Sequence, residues 1–322
     1  MKILDWNKMD ASIAGGCVVV IGNFDGVHLG HQSLINQAIA YGKSVRLPVI
    51  VLTFSQHPRS LQEKLLYLST THEKDQILQT LGVNALVPLP FVDEVRLLTP
   101  NGFMQQILVE KCHAKAIFVG HNFRFGHNRS GSREDLIRFA KQESLHIQVH
   151  PLVQFHGMIV SSSLIRSSVA HGKVDLANQL LGYPYSILGQ VVHGKKRGRL
   201  LGFPTMNAEH FDRTKLKPSP GVYVTACTLL GQTRESLTHI GPKPTFEEEE
   251  ITCETWIEGW TEEVYDKPIR IHFLEKIREI KSFANAEGLI EQIKFDTEIA
   301  HHYFERNPEA IAQAMKMAAL FD

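Results

Sequence analysis

A chain of 322 residues is long enough for two domains, each with its own core, and 43% hydrophobic with 21% charged residues is the make-up of an ordinary soluble globular protein. The 34 basic residues balance the 34 acidic ones, so no charge surplus asks for nucleic acid or a membrane surface, and a small-molecule substrate is expected. Cys17, Cys112, Cys227 and Cys253 are scattered with no CxxC pair, which predicts cytosolic thiols rather than disulfides or a zinc ribbon. Residues 1–6 contain no apolar leader segment, and no run approaches the roughly 18 apolar residues of a membrane span. The expected location is the cytoplasm.

In chain order, Val18-Val19-Val20-Ile21 reads as a buried strand. Gly22, Gly26 and Gly30 break the run, and the apolar spacing of Leu34, Ile35, Ala38 and Ile39 then suits a helix. Strand, glycine turn and helix start point free backbone N–H groups at an anion. No Gly-Lys-Ser/Thr follows the glycines, so this is not a Walker A loop. Two imidazoles, His28 and His31, sit at the junction. Residues 48–54 read as a second strand, residues 74–81 as a helix, 85–89 as a third strand, 101–111 as a helix and 116–120 as a fourth strand. That alternation predicts a parallel sheet covered on both faces, with ligands beyond the strand carboxyl ends, where residues 23–31 and 121–126 lie. The character changes near Gly182-Tyr183-Pro184-Tyr185. Short β-rich runs follow at 189–193, 221–229, 237–241, 251–257 and 269–273, predicting a compact antiparallel barrel. Residues 286–322 are helical in pattern, with a break at Asn307-Pro308. The expected domains are 1–183 and 184–322.

The His28/His31 pair has three readings: a surface pair, a zinc site lacking a nearby third ligand, or donors to a phosphate at a helix N-terminus. The full string Gly22-Asn23-Phe24-Asp25-Gly26-Val27-His28-Leu29-Gly30-His31 favours the third. It resembles the strand–HxGH–helix signature of the nucleotidylyltransferase superfamily, in the form found in bacterial FAD synthetases. His121-Asn122-Phe123-Arg124-Phe125-Gly126 resembles that family's second motif, and Val160-Ser161-Ser162-Ser163-Leu164-Ile165-Arg166 its Ile-Ser-Ser-Thr-x-Ile-Arg motif, with Ser163 in place of threonine. The resemblance spans about residues 10–183. It implies a Rossmann-like domain that joins FMN to AMP, with ATP held by Gly22, Asn23, Phe24, His28, His31, Asn122, Ser161, Ser162, Ser163 and Arg166, and flavin near Asn122 and Phe123. His28 and His31 are the expected catalytic pair.

In the second half, Gly194-Lys195-Lys196-Arg197-Gly198-Arg199-Leu200-Leu201-Gly202-Phe203-Pro204-Thr205-Met206-Asn207 resembles the riboflavin kinase signature. In an extended segment Thr205 and Asn207 share a side and Met206 faces away. A hydroxyl and an amide oxygen together suit Mg²⁺ carried by ATP. The resemblance places ATP at Gly194, Lys195, Arg199, Gly202, Pro204 and Thr205, and the metal at Thr205 and Asn207. Ile240-Gly241-Pro242-Lys243-Pro244-Thr245-Phe246 resembles the block ahead of the family's catalytic glutamate, which makes Glu254 the expected base for the ribityl hydroxyl. Arg278 and Phe283 match the closing segment near the flavin. Glu263-Val264-Tyr265-Asp266 departs from the family's Asp-Leu-Tyr-Gly, which puts the shape of that loop in question. The expectation is therefore a two-site enzyme acting on riboflavin, FMN and ATP, with FMN and FAD as substrate and products rather than redox cofactors. Its rivals are an adenylyltransferase with a degenerate kinase domain and a flavin-binding protein without turnover.

Overall fold

In the computed structural model, which describes residues 1–8, 13, 15–54, 66–90, 92–194, 202–210, 212–243 and 248–321, packing divides the chain into two units. The first comprises Met1–Leu65 and Thr71–Ser161; the second comprises Leu66–Thr70 and Ser162–Asp322.

The first unit is built on β1 (Lys2–Ile3), β2 (Cys17–Ile21), β3 (Val49–Phe54), β4 (Ala85–Leu89), β5 (Ala114–Gly120) and β6 (His146–His150). They form one sheet in the order β1-β4-β3-β2-β5-β6, every pair parallel. All five residues of β2 are buried, as an unbroken apolar run requires in a strand covered on both faces. Helix α1 (Leu29–Val45) lays Leu34, Ile35, Ala38 and Ile39 against the sheet. Gly42 permits its close approach, since a Cβ there would meet Val49 Cγ2 at 2.6 Å. Helix α2 (Thr71–Thr80) follows β3. The short helix α3 (Asp93–Arg96) comes next, and the helix expected over residues 101–111 starts as the turn α4 (Pro100–Gly102) and continues as a π-helix over Phe103–Lys111. Helix α5 (Arg133–Gln142) carries a complete capping box between Ser132 and Asp135. Strand β6 was not expected: it is a half-exposed edge strand with no apolar run. The order places β2 between β3 and β5, so the direction of winding reverses there and a crevice opens at the β2 and β5 carboxyl ends.

The second unit opens with α6 (Ser162–Ala170) and α7 (Val174–Leu181). Six antiparallel strands then close a barrel in the order β10-β13-β12-β11-β14-β9: β9 (Tyr185–Val192), β10 (Thr205–His210), β11 (Gly221–Leu229), β12 (Gln232–Lys243), β13 (Glu248–Ile257) and β14 (Pro268–Arg278). Alternation along the strands gives two environments. Val222, Val224, Ala226, Leu237 and Leu274 pack against Ala300, Phe304, Ala310 and Ala314 of α8 (Ala286–Arg306) and α9 (Ala310–Phe321), so this is the outer face. The alternate residues face inward and include a hydroxyl chain: Thr225 lies 2.8 Å from Ser236 and 2.9 Å from Thr238, which lies 2.9 Å from Thr255. The break between α8 and α9 falls at Asn307, as the sequence predicts.

The helices α6 and α7 are fastened to the barrel. Asn178 Nδ2 donates to Phe273 O (2.8 Å) and Asn178 Oδ1 accepts from Tyr185 N–H (2.7 Å). Packing thus groups residues from Ser162 onward with the barrel, ahead of the composition change at 183/184. Helix α8 is held by a second device. Arg278 Nε donates to both oxygens of Asp296 (3.0 Å each), and Nη2 to Oδ2 (2.7 Å). Asp296→Ala removes the carboxylate and leaves the guanidinium only 14% exposed. The expected cost is on the order of 2–3 kcal/mol, below that of a fully buried pair, read as a lower midpoint in urea denaturation.

Candidate active sites

The glycine turn after β2 is held in an unusual shape. Phe24 and Val27 both have positive φ, 53° and 35°, and both are fully buried. Such angles in a β-branched residue are costly and persist only where the surroundings enforce them. Here Gln32 Nε2 donates to Val27 O (2.8 Å) and Thr53 Oγ1 to Asn23 O (3.2 Å). The Phe24 ring lies beneath Gly22, where a Cβ would come within 2.9 Å of it. Phe24 is therefore a floor for the turn, while Asn23 is exposed above it.

His28 is the N-cap of α1, its Nδ1 accepting the His31 N–H at 3.3 Å. That bond fixes the tautomer: Nε2 carries the proton and is free to donate. The two imidazoles stack at 3.7 Å with an interplanar angle of 15°, and Phe24 meets His31 edge-on at 5.1 Å. Gly30 completes the fit, since a Cβ there would stand 3.2 Å from the His28 ring. Burial pushes the His28 pKa down to about 4, and burial with the neighbouring His28 holds His31 well below the usual histidine value. Both rings are neutral at pH 7. His31 Nδ1 is buried with no hydrogen-bond partner among the described residues.

The β5 carboxyl end lies beside this turn, Ile21 pairing with Val119. Asn122 is exposed there, and Phe123 stacks on buried Phe125 at 5.5 Å. The hairpin β7 (Gln154–Phe155) and β8 (Met158–Ile159) brings the chain back: Val160 N–H donates to Val153 O (2.9 Å), and Val153 lies 3.9 Å from the Cβ position of Gly30. Ser161 follows directly. Ser162, Ser163 and Arg166 lie on the first two turns of α6, in the second unit. Lys74 on α2 was not singled out by the sequence; burial draws its pKa down while the charges of Asp75 and Asp25 of the glycine turn oppose this.

In the barrel, register brings the expected kinase residues together. Asn207 pairs with Glu254 and Thr205 with Trp256, so all four side chains share the outer face. His239 flanks Glu254 from the other neighbouring strand. Met206 pairs with Thr255 and takes the opposite face. Gly194 lies against Asn207: a Cβ there would fall 2.0 Å from Asn207 Nδ2, with Oδ1 the farthest of the amide atoms. Thr205 and Asn207 thus offer two neutral hard oxygens beside a carboxylate. Among the described residues no group of three or more His, Cys, Asp or Glu could hold a metal. Gly202 and Pro204 precede β10 and are exposed. Lys195 and Arg199 lie outside the described residues, as do Thr245 and Phe246. Asp266, where the resemblance has glycine, adopts φ 62°, the left-handed conformation that aspartate tolerates. The guanidinium of Arg278 is engaged by Asp296, and Phe283 lies 3.9 Å from the Cβ position of Gly288 at the start of α8.

The FAD synthetase family model matches residues 10–164, and the riboflavin kinase family model residues 181–304. A bifunctional riboflavin kinase/FMN adenylyltransferase of Listeria monocytogenes is 31% identical over 294 residues, covering 90% of this chain and 93% of that protein. The chain belongs to the bifunctional riboflavin kinase/FMN adenylyltransferase family. The protein of that description from Escherichia coli K12 is 32% identical over 293 residues, covering 90% and 93% of the two chains. A crystal structure from Streptococcus pneumoniae, described as a macrolide-efflux protein, superposes with a TM-score of 0.85 at 29% identity over 94% of this chain and 99% of that one. Among the described residues of this family member no helix is long and apolar enough to cross a membrane. Both the FAD synthetase and the riboflavin kinase domain are present.

Proposed function

We propose that the stacked imidazoles of His28 and His31 serve FMN adenylylation and that Glu254, Thr205 and Asn207 serve riboflavin phosphorylation. Supporting this reading above all is the register that sets Asn207 opposite Glu254 on one face. In the kinase reaction Glu254 takes the proton of the ribityl hydroxyl as its oxygen attacks the γ-phosphorus of ATP, and ADP leaves with the bonding pair. An alcohol is barely ionised at pH 7, so a base is needed. Thr205 and Asn207 would hold Mg²⁺, which supplies neutralisation of phosphate charge when bound with ATP. Gly194, Lys195, Arg199, Gly202 and Pro204 contribute to the nucleotide site, and Phe283 borders the flavin.

Adenylylation has no such requirement. The FMN phosphate, with its second pKa about 6, is already ionised when its oxygen attacks the α-phosphorus, and pyrophosphate departs. What remains is alignment and charge stabilisation. Neutral His28 and His31 donate N–H bonds to the growing charge, with Gly22, Asn23, Asn122, Ser161, Ser162, Ser163 and Arg166 assigned to ATP and Asn122 and Phe123 to the flavin. None of the four cysteines is joined in a disulfide, and three of them are buried, which suits a cytoplasmic protein. The test is incubation of riboflavin with ATP and Mg²⁺, resolving products by chromatography. FMN is expected first and FAD after it, with neither formed when EDTA removes the metal. Products unaffected by EDTA would overturn the metal assignment.

A further inference from the structure

The turn that departs from the family pattern is tied to the strand that feeds Gly194. Asp266 N–H donates to Val191 O (2.9 Å), Val191 N–H to Lys267 O (2.9 Å), and Gln190 Nε2 to Asp266 O (3.1 Å). Val264 is buried and anchors the turn from within. From this base the Tyr265 ring reaches His193 and stacks on it at 3.8 Å with an interplanar angle of 27°. His193 is otherwise exposed, and the next residue is Gly194, whose backbone lies against the Asn207 amide. Asn207 in turn pairs with Val192 on one side and Glu254 on the other. A continuous series of contacts therefore runs from Tyr265 through His193 and Gly194 to Asn207.

We propose that Tyr265 is a positioning residue of the kinase site, holding Gly194 against Asn207 by way of its stack on His193. The proposal rests on the reading of Thr205, Asn207 and Glu254 as that site. An exposed histidine at the end of a strand has many rotamers open to it. Stacking selects one and limits how far Gly194 can lift from Asn207. Displacement of a metal or nucleotide ligand by about 1 Å can cost up to 100-fold in rate, so a modest aromatic contact can have a large kinetic effect.

The test uses the full chain with Tyr265→Ala, Tyr265→Phe, His193→Ala and the Tyr265→Ala/His193→Ala double variant. Tyr265→Ala is expected to raise KM for ATP and lower kcat of riboflavin phosphorylation, about tenfold together in kcat/KM. Tyr265→Phe, which keeps the ring, should restore both. His193→Ala should match Tyr265→Ala, and the double variant should be no worse than either, because both remove one contact. FAD formation from added FMN serves as the internal control and should not change. Three results would each overturn the proposal: unaltered kinase constants in Tyr265→Ala, losses that multiply in the double variant, or a Phe variant as impaired as the Ala one. A wild-type chain without kinase activity would instead remove the underlying reading of the site.

Discussion

Glu254→Gln is expected to lower riboflavin phosphorylation by roughly 10²–10⁴-fold, with FAD formation from added FMN unchanged. The substitution preserves shape and takes away only the ability to accept a proton. Glu254 stands between His239 and Asn207 in the barrel register, and an amide fits between them as a carboxylate does. The loss should therefore fall on kcat, with KM for ATP near its original value, since an interaction made only in the transition state is what disappears. A kinase rate within about threefold of wild type would fall outside the range for a general base and would place the proton acceptor elsewhere.

His31→Ala should reduce FAD formation by on the order of 10²–10³-fold, the range for removing one preorganised donor to developing charge, while FMN formation continues. The buried Nδ1, with no partner among the described residues, and the stack on His28 make His31 the more exposed of the pair to this test. His28 would still cap α1, because it accepts the backbone N–H of residue 31 rather than its side chain. Loss of activity should therefore come with a thermal midpoint close to that of wild type. FAD produced at the normal rate would remove the phosphate-site assignment.

Some of this was legible in the residues. The valine run and the glycine turn specify β2 and α1 locally, because burial on both faces and a phosphate-type turn leave few other sequences possible. Placing Thr205 and Asn207 on one side needed only strand alternation. Other features depend on partners distant in sequence. Asn178 joins α7 to β14 and to Tyr185 by hydrogen bonds invisible in composition, so the composition change at 183/184 does not mark where packing divides. Asp296 sits on an amphipathic helix as any solvent-facing acid might, and only the fold turns it toward Arg278. Strand β6, at a half-exposed edge, never needed an apolar run. At Asp266 the missing glycine put the loop shape in question, and the aspartate adopts the left-handed φ of 62°. His28 carried a second role as helix cap that the HxGH spacing alone did not disclose.

The central claim is that riboflavin phosphorylation is complete within the second unit. A fragment from Ser162 to Asp322, which is the second unit without its short segment Leu66–Thr70, retains α6, α7 and the Asn178 bonds to the barrel, which a fragment starting at Tyr185 would lose. The decisive measurement is conversion of riboflavin and ATP by the purified Ser162–Asp322 fragment, with products resolved by chromatography beside those of the full chain. The account predicts FMN at a rate comparable to the full chain and no FAD. A fragment that unfolds in a cooperative thermal transition yet makes no FMN would contradict it.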